Sequence, residues 1–215
     1  MWGNCKLWAG VWSVTWSLLG WSGNPAKENS QLSVFVAERA GADVRILSAA
    51  EQDATRVFHH AGVDVDWINC GENAGEDGAG ACSDPTRTDL IVRLVPHART
   101  LSGDFFGVAF PTHEGGVYAD VFFDPIQQLG EQRKEASLAS ILGNVLAHEV
   151  GHLLLGTNSH SGEGIMQAHW RSGQLQQIAK GQLRFTQQQA IRIRSRVSAL
   201  RNNQRNDSIL AAVRD

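Results

Sequence analysis

The chain has 215 residues, of which 42% are hydrophobic and 19% are charged, a composition typical of one soluble globular domain. This composition excludes a disordered, a collagen-like or a disulfide-dense miniature protein. The formal net charge of −3 is unevenly divided, because residues 1–170 carry 10 basic and 20 acidic side chains whereas residues 171–215 carry 9 and 2. The last fifth of the chain is therefore a basic segment attached to an acidic body.

The N-terminus has the pattern of a secretory signal. The uncharged run LWAGVWSVTWSLL follows Lys6 and precedes Gly20 and Ser22, which satisfy the small-residue rule before a cleavage site. The run is shorter than the roughly 20 residues of a membrane-spanning helix. We therefore predict a signal peptide over residues 1–22 and a single catalytic domain over residues 23–215. The mature protein is expected to be secreted or periplasmic, with no stable membrane association after cleavage.

Two other interpretations of this segment stay open. Trp8, Trp12 and Trp16 repeat at helical spacing, so an uncleaved start could form an interfacial anchor and make the chain a membrane-tethered partner protein. A start codon chosen too far upstream would also produce such a segment.

Extended segments dominate the first 125 residues. Alternating or continuous apolar patterns predict strands at 32–37, 63–68 and 90–95, and shorter ones at 105–110 and 116–123. A helix is predicted from Ser48 to about Ala61, where Gly62 ends it.

Three cysteines are present, and Cys5 falls within the predicted signal. Cys70 and Cys82 remain as a pair around the glycine-rich acidic segment GENAGEDGAGA. A disulfide closing a loop of this length would stabilise the fold by about 3 kcal/mol in an oxidising compartment. We predict this disulfide, with two free thiols as the alternative, and the spacing is not that of a Cys-x-x-Cys zinc pair.

Helical periodicity takes over from about Ser137 to Leu155, and Gly156 supplies its stop. A basic C-terminal helix is predicted at about 186–202. Its arginines stand two residues apart on different faces, and no aromatic residue follows Phe185, so we predict no nucleic-acid binding. A solvated helix docked on the acidic body is expected instead. The element order predicts an α+β fold with one mixed sheet and two or three long helices.

The predicted helix over 137–155 contains the motif His148-Glu149-Val150-Gly151-His152. Residues four apart lie on one helix face, so the imidazoles of His148 and His152 can coordinate a single ion. Neutral imidazole suits Zn²⁺, and Glu149 lies where it can take a proton from water. We therefore predict a zinc site with Glu149 as the catalytic base.

A catalytic zinc needs a third protein ligand. Only Glu163, Asp207 and Asp215 are acidic after His152, which makes histidine the better candidate. His160 follows the glycine stop, and His169 is the reserve.

The segment HEVGHLLLGTNSHSGEGIM resembles the zinc-binding segment of the metzincin metalloproteases, and similar segments occur in uncharacterised secreted bacterial proteins. The resemblance covers about 20 residues and implies a zincin-like twisted sheet with a backing helix, an active-site helix and a C-terminal helix. It implies His148, His152 and His160 as ligands. It further implies Gly156 as the turn glycine and Met166 as the methionine beneath the metal.

One departure from the family pattern concerns the third ligand. The family places it ten residues after the first histidine, where this chain has Asn158, whereas His160 stands at twelve. Either the helix and loop are each one residue longer in a divergent branch, or the third ligand is another residue.

The resemblance also implies that a sheet edge binds substrate as an added strand. The segment Gly115 to Val121 is the candidate edge, with Gly116, Val117, Tyr118 and Ala119 at its centre, and an ordinary strand is the alternative. Tyr118 could donate to a developing oxyanion, but packing is the more usual role of a strand tyrosine.

These observations predict a secreted zinc-dependent endopeptidase acting on peptide or protein substrates, with Zn²⁺ as cofactor. A non-catalytic zinc-containing module that binds peptides is the alternative, and an amidase acting on a non-protein substrate is a chemical variant.

Overall fold

The protein is described from a computed structural model that covers residues 30–70, 90–98, 105–111 and 118–212. Within these residues, five strands and five helices form one α+β unit, which confirms the predicted fold class. The strands are β1 (Ser30–Glu38), β2 (Val63–Asn69), β3 (Leu90–Val95), β4 (Gly107–Phe110) and β5 (Tyr118–Phe122). The helices are α1 (Val44–His60), α2 (Phe123–Gln132), α3 (Leu138–Leu155), α4 (Ser172–Ala179) and α5 (Gln187–Ala212).

The strands form one mixed sheet in the order β2-β1-β3-β5-β4. Four of them are parallel, and β4 pairs with β5 in the antiparallel direction. Alternate residues of β1 and β3 are fully buried on the face that carries the helices, as the period of two requires. Helix α1 supplies the long connection that parallel β1 and β2 need.

The order of the sheet differs from the expectation that β5 is an edge strand. Tyr118 and Ala119 lie in β5, which pairs with β3 on one side and with β4 on the other. Strand β4, which precedes β5 in the chain, pairs with it in the antiparallel direction. Within the described residues, β4 therefore lies at this border of the sheet. Gly116 and Val117 lie outside those residues.

Several element bounds also differ from the sequence prediction. Helix α1 begins at Val44, because the Asp43 side chain accepts a hydrogen bond from the Arg45 backbone N–H at 2.8 Å and caps the first turn. Helices α2 and α4 were not predicted. Helix α5 extends to Ala212, ten residues beyond the predicted end.

Helix α3 runs through the core. Every residue from Ile141 to Leu154 is buried, which explains why its sequence is apolar on all sides. By length and composition α3 could cross a membrane, with a mean hydropathy of 1.3, but 78% of it is buried inside the protein. It packs closely on α1 at Gly143, where a Cβ atom would lie 2.3 Å from the backbone oxygen of Ala50.

Helix α5 docks through apolar side chains. Ile193 and Val197 are fully buried, and Arg194 donates from Nη1 to the Ala61 carbonyl oxygen at 2.6 Å. Among the side chains that the structure describes, no arginine of α5 forms an ion pair with an acidic residue. The helix is therefore held by hydrophobic burial and a carbonyl contact rather than by ion pairs with the acidic body.

Two further expectations fall outside the described residues. The predicted signal peptide, residues 1–22, is one. The other is Cys82, so the disulfide with Cys70 stays a prediction.

Candidate metal centre

Three histidines converge where α3 ends. His148 and His152 lie on one face of α3, 8% and 4% exposed, and His160 reaches toward them from the loop that follows the helix. One ring nitrogen from each lies within 4.8 Å of the others. The structure therefore brings together the three residues that the sequence analysis proposed as ligands.

The hydrogen bonds of His148 and His152 define which ring nitrogen faces the centre. Nδ1 of His148 lies 2.8 Å from the Ile165 carbonyl oxygen, and Nδ1 of His152 lies 2.8 Å from that of Thr157. A carbonyl oxygen only accepts, so each Nδ1 carries the proton and each neutral ring turns an unprotonated Nε2 inward. Backbone carbonyls that orient ligand imidazoles in this way are typical of metal sites.

The two Nε2 atoms lie 3.0 Å from each other. Two lone pairs at this distance repel unless a proton or a cation lies between them or beside them. Nitrogen ligands of a tetrahedral Zn²⁺ lie about 3.4 Å apart, given Zn–N distances of about 2.0–2.1 Å. The separation and the donor chemistry of this pair therefore fit a shared cation.

Burial keeps these histidines neutral. It lowers the pKa of His148 to about 3, and repulsion from His152, whenever that ring is protonated, lowers it further. Burial also lowers the pKa of His152 and of His160. Because a metal ligand must be unprotonated, lowered values prepare all three rings for a cation near neutral pH.

The loop to His160 is built by Gly156. This residue ends α3 in the left-handed conformation, with φ 66°, and its N–H bonds the His152 carbonyl. Thr157 follows, and its carbonyl is the one that accepts from His152. Gly156 stands eight residues and His160 twelve residues after His148, and this loop brings His160 to the other two histidines.

Asn158 and His169 line the neighbouring cleft. Among the described residues, the group of histidines that could share an ion contains His160 and not His169.

Glu149 is the buried acid of the site. It is 5% exposed, and burial raises its pKa to about 8. Its carboxyl group packs against Gly107 of β4, where a Cβ atom would lie 2.6 Å from Oε1. Strand β4 therefore approaches the acid as closely as only a glycine allows.

Met166 is buried against α3 at Gly151, the residue before His152. It is 1% exposed, and a Cβ atom on Gly151 would lie 2.9 Å from its Sδ and 2.7 Å from Cε1 of Phe185. The carbonyl of Met166 accepts from the Ser161 N–H at 2.8 Å, which ties it to the residue directly after His160.

A cleft of about 420 Å³ opens in front of the three histidines. Phe105, Phe106 and Gly107 line it on the side of β4, and Ala168, His169 and Trp170 line it on the side of the loop after Met166. The contribution of β4 to the cleft was not predicted from the sequence. The glycine inside the apolar run FFGVAF is the signal that could have indicated it, because a glycine in a strand often marks a close approach.

Tyr118 stands apart from this cleft. Its ring stacks on Phe110 with the centroids 4.7 Å apart, and the Arg93 guanidinium lies 4.8 Å from its centroid. Tyr118 is not among the described residues that line the cleft, so its contacts are those of a packing residue.

No family model matches the chain, and no curated protein matches it in sequence. Among solved structures, the chain is similar to metalloproteinase-II from Bacteroides fragilis, with a TM-score of 0.49 and 13% identity over 80% of this chain and 55% of that one. It thus spans about half the length of the Bacteroides protein. A zinc-dependent peptidase from Methanocorpusculum labreanum is similar with a TM-score of 0.47 and 16% identity, over 74% of this chain and 99% of that one.

Proposed function

We propose that this protein is a zinc-dependent endopeptidase. The observation that carries the proposal is the pair of inward, unprotonated Nε2 atoms of His148 and His152, 3.0 Å apart, with His160 beside them and the buried Glu149 next in the chain. Three imidazoles and an adjacent carboxyl group facing an open cleft are the parts of a hydrolytic zinc site.

His148, His152 and His160 would hold the ion. Once bound, Zn²⁺ supplies Lewis acidity, which polarises a carbonyl group and brings the pKa of water toward about 7. A set of three protein donors is typical of catalytic rather than structural zinc sites.

Glu149 would move the proton in this reaction. Its burial raises the pKa of the carboxyl group to about 8, and a neighbouring cation favours the carboxylate and opposes this shift. The carboxylate accepts a proton from the attacking water and returns it to the leaving amine. The contact with Gly107 holds the carboxyl group beside the cleft during both transfers.

The border of β4 would receive the substrate as an extended strand. Phe106 accepts a hydrogen bond from Phe122 of the sheet at 2.8 Å. Because hydrogen-bonding directions alternate along a strand, the backbone N–H and C=O of Gly107 point away from β5. A peptide lying along β4 would therefore run past the acid and the three histidines.

The decisive experiment combines a metal analysis with digestion of an unbiased peptide library. We expect about one Zn²⁺ per chain, cleavage that a chelator abolishes and that added zinc restores, and a Glu149→Gln variant that keeps the metal and loses turnover. His97→Gln, an exposed histidine paired with Asp124, is the matched control and should leave both unchanged.

Other outcomes would contradict the proposal. Zinc with four protein donors and peptide binding without cleavage would indicate a non-catalytic binding module. Cleavage only of non-peptide amides would indicate an amidase, and unaltered turnover in Glu149→Gln would remove the mechanism.

We also propose that the chain is exported, on the pattern of residues 1–22 alone. N-terminal sequencing of the exported form tests this. An intact start in a membrane fraction would instead support the tethered protein.

A further inference from the structure

Trp170 shares a hydrogen-bond acceptor with the ligand His148. Its indole Nε1–H donates to the Ile165 carbonyl oxygen at 3.3 Å, and the same oxygen accepts from Nδ1 of His148 at 2.8 Å. A carbonyl oxygen has two lone pairs, so this one can serve both donors.

The two rings also contact each other. The centroid of the Trp170 indole lies 5.8 Å from that of the His148 imidazole, and the ring planes are nearly perpendicular at 83°. This edge-to-face arrangement is favourable between aromatic rings. Trp170 is half-buried and forms part of the cleft wall.

We propose that Trp170 is a positioning residue for the metal centre, acting through His148. The imidazole of His148 can rotate about its side-chain bonds, and two contacts restrict that rotation: the hydrogen bond to Ile165 and the edge of the indole. Trp170 supplies the second contact directly and supports the first, because its indole N–H also bonds the Ile165 carbonyl that accepts from His148. The inference rests on the proposed metal centre.

The indole N–H is the part of Trp170 that this role requires. Loss of a partner that orients a metal-binding histidine typically weakens metal affinity by about 10- to 100-fold. The indole acts one contact further out, through the Ile165 carbonyl, so the loss here should lie at the lower end of that range. Phenylalanine at 170 retains an aromatic ring for packing but removes the donor. The Trp170→Phe variant therefore separates positioning from packing.

The test measures zinc affinity by competition with a chelator in the full-length protein. Trp170→Phe should weaken zinc binding by about tenfold, while the urea midpoint of the metal-free protein stays close to the wild-type value. The absorption bands of the Co²⁺-loaded protein should shift, because they report the arrangement of the ligands.

Trp67→Phe is the matched control. Trp67 is also a half-buried tryptophan that donates from Nε1, in its case to Thr55 Oγ1 at 2.9 Å. This control should leave zinc affinity and the Co²⁺ spectrum unchanged.

Three results would overturn the inference. Equal zinc affinity in Trp170→Phe and the wild type would show that His148 is oriented without the indole. Weaker zinc binding together with an equally large loss of metal-free stability would assign Trp170 to packing alone. Failure of the wild type itself to bind zinc would overturn the proposed function and this inference with it.

Discussion

Gly107 of β4 and Glu149 of α3 are in a contact that no larger residue could make at position 107. A Cβ atom there would lie 2.6 Å from Oε1, 2.7 Å from Cδ and 2.7 Å from Cγ of the glutamate. This direct contact positions the proposed catalytic base relative to the sheet border that faces the cleft. In the sequence, 41 residues lie between Gly107 and Glu149.

Gly107→Ala should lower peptidase activity by about one to two orders of magnitude, because a misplacement near 1 Å can cost about 100-fold. The added methyl group must displace either the carboxyl group or β4. Steady-state kinetics measure the effect, and zinc content should stay unchanged.

Gly162→Ala is the control for this variant, since a Cβ atom at Gly162 meets nothing within 4 Å. Equal kcat/KM in the two alanine variants would contradict the role assigned to the Gly107 contact.

The third ligand can be identified by substitution. His160→Ala should weaken zinc binding by at least about 100-fold, because a ligand rather than an outer contact is removed. His169 lines the same cleft, and the His169→Ala variant should bind zinc with near wild-type affinity. Chelator competition measures both values. Zinc loss in His169→Ala with retention in His160→Ala would assign the ligand to His169.

The stability of the metal-free protein should fall as the pH rises from 6.5 to 8. Burial raises the pKa of Glu149 from 4.5 to about 8, so its stabilising contribution is complete below 4.5 and is lost as the pH rises to 8. Burial lowers the pKa of His148 from 6.5 to about 3, so its contribution is complete above 6.5 and is lost toward 3. Between pH 4.5 and 6.5 the effects of Glu149 and His148 on the stability oppose each other. Above pH 6.5 only the effect of Glu149 still changes the stability with pH.

Glu149→Gln should remove the decrease in unfolding free energy above pH 6.5. In the wild type this decrease amounts to about 2 kcal/mol between pH 6.5 and 8. Urea unfolding of the metal-free wild type and variant at the two pH values gives the difference. Parallel pH profiles in the two proteins would contradict the burial effect assigned to Glu149.

Gly143→Ala should destabilise the fold by about 2–3 kcal/mol, as overpacking in a core does. The new Cβ atom would lie 2.3 Å from the Ala50 carbonyl oxygen and 2.8 Å from the Asp53 Cβ, so α1 and α3 must separate. Thermal or urea unfolding measures the loss. Gly173→Ala in helix α4, where a Cβ atom meets nothing within 4 Å, is the control, and equal stability of the two variants would refute the prediction.

Sequence periodicity predicted the core of the fold because it reflects local geometry. The alternation in VDVDWI and the helical spacing before Gly156 depend only on which side chains share a face. The same reasoning placed His148 and His152 together, since residues four apart on a helix are neighbours whatever surrounds them. Helix α2 escaped prediction because it starts directly after β5 with no side-chain cap at Phe122.

The remaining parts of the site depended on contacts between distant segments. His160 and His169 were both candidate ligands by spacing, and only the path of the loop after Gly156 brings His160 to the pair on α3. The border position of β4, its contact with Glu149 and the carbonyl shared by Trp170 and His148 were equally out of reach of local patterns. By itself the sequence determined the fold class and predicted two of the proposed ligands and the acid between them. The tertiary structure decided which residues complete the site. Residues that are tens of positions apart in the chain come into contact only through the packing of the whole core.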